Sequence, residues 1–128
     1  MAGIKLDGAG QAKMKTLDEA MQALMRVHSL VEQYALQVKR NMNGAHFLSG
    51  VKRQLPALTS MLKGQFGMIA DQCLQVHLAS SRGASEAVRI RNLREGMAHI
   101  KTSLEIAITQ TITKHAEKSE KAETDETA

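Results

Sequence analysis

Apolar residues recur at steps of three and four over most of the chain. Between Leu55 and Ser80 they are Leu55, Leu58, Leu62, Phe66, Ile69, Cys73 and Val76, one face of an α-helix of about six to seven turns. Pro56 suits the first turn of that helix, where its missing N–H would have no partner. On this reading Gly64 and Gly67 fall mid-helix, each costing roughly 0.5–1 kcal/mol relative to alanine. With Ser60 they make a run of small residues. The run reads either as a kink or close helix crossing, or as a strip where an identical helix of another subunit docks.

A second periodic stretch starts at Thr16, where TLDE has the form of a capping box and Asp18 and Glu19 suit the helix dipole. Leu17, Met21, Leu24, His28, Val31, Ala35 and Val38 keep one seam to about Arg40. Ala20, Ala23, Val27, Leu30 and Tyr34 keep another beside it. Two adjoining seams predict contact with at least two other helices. NMNG, Asn41 to Gly44, supplies a residue type suited to a left-handed C-cap. Ala45 to Gln54 is either a separate short helix or a lead into the next one with a bend at Pro56. After the loop SSRGAS, Ser85 is an N-cap for a third long helix carrying Leu93, Met97, Ile100 and Leu104 inward. These elements predict an all-α fold, an antiparallel helical bundle of three long helices plus a short fourth helical segment. The expected boundaries are a flexible N-terminal arm over 1–15, the bundle over 16–116, and a disordered charged tail over 117–128.

Composition supports this picture. The 128 residues include no Trp, one Tyr and two Phe but eight Met, so the core is aliphatic and methionine-rich, which favours helices over strands. One cysteine allows no intramolecular disulfide, the first residues lack the apolar segment of a signal peptide, and no apolar run approaches the roughly 18 residues of a membrane span. The expectation is a cytoplasmic protein with no membrane partner.

Charge changes the picture more. The net charge of +4 understates the basicity of the middle of the chain, where Lys39 to Lys101 carries ten Lys and Arg against three Asp and Glu. Such an excess points to an anionic partner, with RNA or DNA first, although a solvated face explains it too. The candidate nucleic-acid-binding residues are Lys39, Arg40, Lys52, Arg53, Arg89, Arg91, Arg94 and Lys101, since arginine forks onto phosphate oxygens. Few aromatics are present to stack on bases, so binding should follow the backbone and fall with salt. The candidate oligomer interface is Ser60, Gly64 and Gly67.

Five histidines raise the question of metals. Cys73 and His77, His28 and Glu32, and Glu95 and His99 are each one helical turn apart, but the Glu-x-x-His spacing of di-metal bundles is absent, and His28 fits a core histidine with one hydrogen bond better than a ligand. No metal or other cofactor is expected. AHFLSG, Ala45 to Gly50, resembles the phosphoacceptor segment of histidine phosphotransfer domains, with His46 as the implied phosphorylated residue and Ser49 where that family has lysine. No arrangement of nucleophile, base and cleft is legible, and the chain reads as a non-enzymatic binding protein.

The order of a long amphipathic helix, the basic segment KRNMNGAHFLSGVKRQLP, a second long helix, a loop and RIRNLREGMAHIKTSLEIA resembles a family of small four-helix bundles. It contains the proteins encoded in 23S rRNA intervening sequences and the accessory variability determinant of diversity-generating retroelements. The resemblance implies a basic homo-oligomer, commonly pentameric, that holds RNA or DNA, with Lys52, Arg53, Arg91 and Arg94 on the binding surface. The alternative is a helical adaptor that oligomerises and binds a protein partner, with affinity little affected by moderate salt.

Overall fold

The computed structural model of the chain describes residues 5–82 and 85–116. They form four helices: α1 (Gly8–Lys39), α2 (Ala45–Lys63), α3 (Gly67–Ser80) and α4 (Glu86–His115). Helix α1 packs on α2 and α4, and α3 packs on the same two, so the helices run up and down round a square. The expected all-α antiparallel bundle is what the chain adopts. The two seams of α1 face its two neighbours. Leu30, in one seam, lies against α2 at Gly50. Glu32, on the flank of the other, bonds Arg94 of α4.

The helix boundaries depart from the sequence reading in three places. First, α1 begins at Gly8, two turns before Thr16. Asp7 is its cap, the carboxylate accepting from the Gly10 N–H at 2.7 Å. Thr16 lies inside the helix, and its hydroxyl donates back to the Ala12 carbonyl at 3.2 Å. Second, the helix expected to open at Pro56 opens at Ala45: of the two readings of Ala45 to Gln54, the lead into the next helix holds, and α2 runs through Pro56 to Lys63. Pro56 sits on the exposed face, where the carbonyl it deprives of a helical donor can be solvated. Third, the stretch from Leu55 to Ser80 is two helices. Gly64, Gln65 and Phe66 turn the chain back on itself, and α3, with 14 residues, becomes the short fourth helix.

The remaining caps follow the sequence. Asn41 takes the left-handed conformation at φ 56° after α1, and the Ser85 hydroxyl accepts from the Val88 N–H at 3.3 Å to open α4. Leu17, Val27, Val31, Leu55, Leu58, Leu62, Leu93, Ile100 and Leu104 fill the core without exposure, each contributing on the order of 1.5–3 kcal/mol relative to an exposed side chain. His28, read as a core residue, is exposed on the flank of α1. The expected disorder of 117–128 lies outside the described residues.

Close approaches fix the registers: Gly50 against Leu30, Gly96 against Val76 and Gly10 against His115. The α2–α3 turn therefore comes level with Leu17 and Glu105. Beyond it the start of α1 and the end of α4 continue as a helix pair for about 15 Å. An antiparallel bridge between Leu6 and Ala116, and a bond from the Asp7 N–H to the His115 carbonyl at 3.0 Å, close that pair.

Candidate nucleic-acid interface

The antiparallel course of the helices places the end of α1, the start of α2, the end of α3 and the start of α4 at one end of the bundle. That end holds Lys39 and Arg40, Lys52 and Arg53, Arg82, and Arg89, Arg91 and Arg94. The acidic residues of the same region are Glu32, Glu86 and Glu95. Toward the opposite end the basic excess is smaller, with Lys5, Lys13, Lys15, Arg26, Lys63, Lys101 and Lys114 set against Asp7, Asp18, Glu19, Asp71 and Glu105.

Not every predicted cation is available there. Arg94 is held by Glu32, its Nε bonding one carboxylate oxygen at 2.9 Å and an Nη the other at 2.8 Å. The pair lowers the Glu32 carboxyl below the usual carboxylate range, chiefly through the hydrogen bond from Arg94, and raises the guanidinium for the same reason. Arg89 is half-buried. One Nη donates to the buried Tyr34 hydroxyl at 3.2 Å and the other to the Arg82 carbonyl at 2.9 Å. The Tyr34 hydroxyl in turn donates to Glu86 at 3.2 Å. Arg89 and Arg94 thus tie α4 to α1, in place of the open phosphate contacts expected of them.

Nor do the eight predicted residues form one face. Lys52 and Arg53 stand on α2, which does not pack against α4. Lys101 lies three turns further along α4, toward the opposite half. The structure brings Lys39 and Arg40 to the edge where α1 ends beside the start of α4, and Arg91 points outward near them from α4; all three are exposed. Between the two helices runs a shallow groove of about 620 Å³ with Leu36, Ala87 and Ile90 on its floor and Lys39 and Arg94 on its rims. Exposed His46, edge-on to Phe47 with ring centroids 5.4 Å apart, opens α2 at the same end.

The sequence reading missed the Tyr34 network. Tyr34 was legible as a seam residue, but its partners Glu86 and Arg89 stand more than 50 residues away. The small residues Ser60, Gly64 and Gly67 are all exposed, and a side-chain carbon added at Gly64 or Gly67 would meet nothing within 4 Å. They make no close crossing within the chain.

Cys73 is fully buried, and burial pushes its thiol up to about 11. Among the described residues no three His, Cys, Asp or Glu side chains converge as metal ligands, and no helix is long and apolar enough to cross a membrane. No family model matches the chain, and neither the curated proteins nor the solved structures yield a match.

Proposed function

We propose that this bundle acts by binding rather than catalysis, and that its basic end engages the phosphate backbone of RNA or DNA. The observation that carries the reading is the gathering of cations from α1, α2, α4 and the loop after α3 at one end, while two of the three carboxylates there are engaged by Arg94 and Tyr34. Lys39, Arg40 and Arg91, with Lys52 and Arg53 on the adjoining flank, supply the phosphate contacts. Arg89 and Arg94 hold the surface in shape. This is the behaviour that the resemblance to the rRNA intervening-sequence family implies. With few aromatic platforms, recognition is led by the backbone and weakly dependent on sequence. Titration of labelled single-stranded and duplex RNA and DNA at low and moderate salt tests it. Affinity that falls steeply with salt is expected, and absence of binding at low salt contradicts the reading.

A helical adaptor that self-associates is the second reading, favoured by one observation. Helix α3 is apolar on both sides, exposing Leu74 and Leu78 on its outer face, and the exposed Ser60, Gly64 and Gly67 lie on the same hairpin. Light scattering on the titrated sample separates a monomer from a homo-oligomer.

A further inference from the structure

At the end of the bundle away from the cations, the helix pair formed by α1 and α4 outruns the α2–α3 turn and leaves a cleft of about 520 Å³. This is within the size range of small-molecule sites. Its apolar side is built from Phe66, Ile69, Ile106 and Ala107, with Met68, 84% exposed, at the rim. Its polar side carries Lys13, Lys114 and His115 together with Gln72 and Gln110, and no Asp or Glu among the described residues lines it. Acidic residues occur on the same half of the bundle, at Asp18, Glu19, Asp71 and Glu105, so their exclusion from the lining is a local property of the cleft.

Two details show which groups are committed. His115 lies between Asp7 and Lys13, its Nδ1 3.1 Å from Asp7 Oδ1 and its Nε2 3.2 Å from Lys13 Nζ. With the ammonium donating to Nε2, the ring proton sits on Nδ1 and is given to Asp7. Lys13 is thereby positioned at the inner wall, while Lys114 makes no ion pair with any described residue. The second detail is Gln72, whose Oε1 is closed to solvent and so turned away from the cleft.

We propose that this cleft is a binding site for a small organic carboxylate with an apolar body. The carboxylate pairs with Lys114 and Lys13, and the hydrocarbon covers Phe66, Ile69 and Ile106. The site is independent of the basic end, from which it is separated by the length of α3.

The test is titration of the full chain, with its methionine methyls labelled for NMR, by octanoate, by octyltrimethylammonium and by acetate. Saturable movement of the Met68 methyl with octanoate alone is expected, weakened about tenfold or more in Lys114→Glu and unchanged in the distant Arg53→Glu. Lys114 is exposed, so its replacement leaves the core intact. Octanoate that fails to saturate overturns the proposal. So does equal response to the cationic amphiphile, or undiminished affinity in Lys114→Glu.

Discussion

Arg94 grips Glu32 through both carboxylate oxygens, at 2.9 and 2.8 Å, across the seam between α4 and α1. The side chains are 51% and 41% exposed, so solvent screens most of the attraction. A double-mutant cycle with Glu32→Ala and Arg94→Ala is expected to return a coupling of about 0.5 kcal/mol. A coupling several times larger contradicts this description of the pair.

The same pair contributes to the acid response of the fold. Glu32 is lowered by the bond from Arg94, and Asp7 chiefly by the Gly10 N–H at the α1 cap. A carboxyl whose value is lower folded than unfolded stabilises the fold above its unfolded value, and that contribution is lost as pH falls through the folded one. Stability measured by urea unfolding should therefore decline from about pH 4.5 downward, and Asp7→Asn with Glu32→Gln should flatten the decline. An unchanged acid limb in the double variant contradicts the assignment.

Two glycines should respond oppositely to alanine. A Cβ on Gly96 overlaps Val76 Cγ2, a stiff β-branched side chain buried between α3 and α4. The overpacking outweighs the gain in helix propensity, for a net loss of about 1 kcal/mol. At Gly64 the backbone is already right-handed helical, at φ −74° and ψ −36°, and the space beyond it is open. Gly64→Ala is expected to gain about 0.5 kcal/mol through the unfolded chain. Thermal melts of the two variants check both signs.

Cys73 is buried and its thiol sits near 11, so little thiolate is present near neutrality. An aromatic disulfide reagent at pH 8 should modify the native chain on the order of 100-fold more slowly than the unfolded one. Equal rates mean that α3 does not bury this side chain.

Much of this architecture could be read from the chain. The period of three and four gave the helices, Asn41 and Ser85 punctuated them correctly, and the double seam of α1 foretold two neighbours. The α2–α3 turn was hidden because Leu58, Leu62, Phe66 and Ile69 keep helical spacing straight through it, Phe66 packing against the core from within the turn. Pro56 misled in the other direction, since on an exposed face a helix tolerates the donor it lacks. Thr16 has the chemistry of a cap, but Asp7 supplies one two turns earlier, in a position secured by the carbonyl of His115, 108 residues distant. The basic segment was visible as charge. That Arg89 and Arg94 are engaged within the bundle depends on Tyr34 and Glu32, which only the folded chain brings near.

The central claim, that the basic end holds nucleic acid, is tested most directly by charge reversal at matched cost. Fluorescence anisotropy with a labelled RNA at low salt compares Arg40→Glu/Arg91→Glu, at the basic end, with Lys63→Glu/Lys101→Glu in the other half. The account predicts a loss of about tenfold or more and a shallower salt dependence for the first pair, with affinity nearly unchanged for the second. Equal losses in both pairs, or none in the first, contradict it.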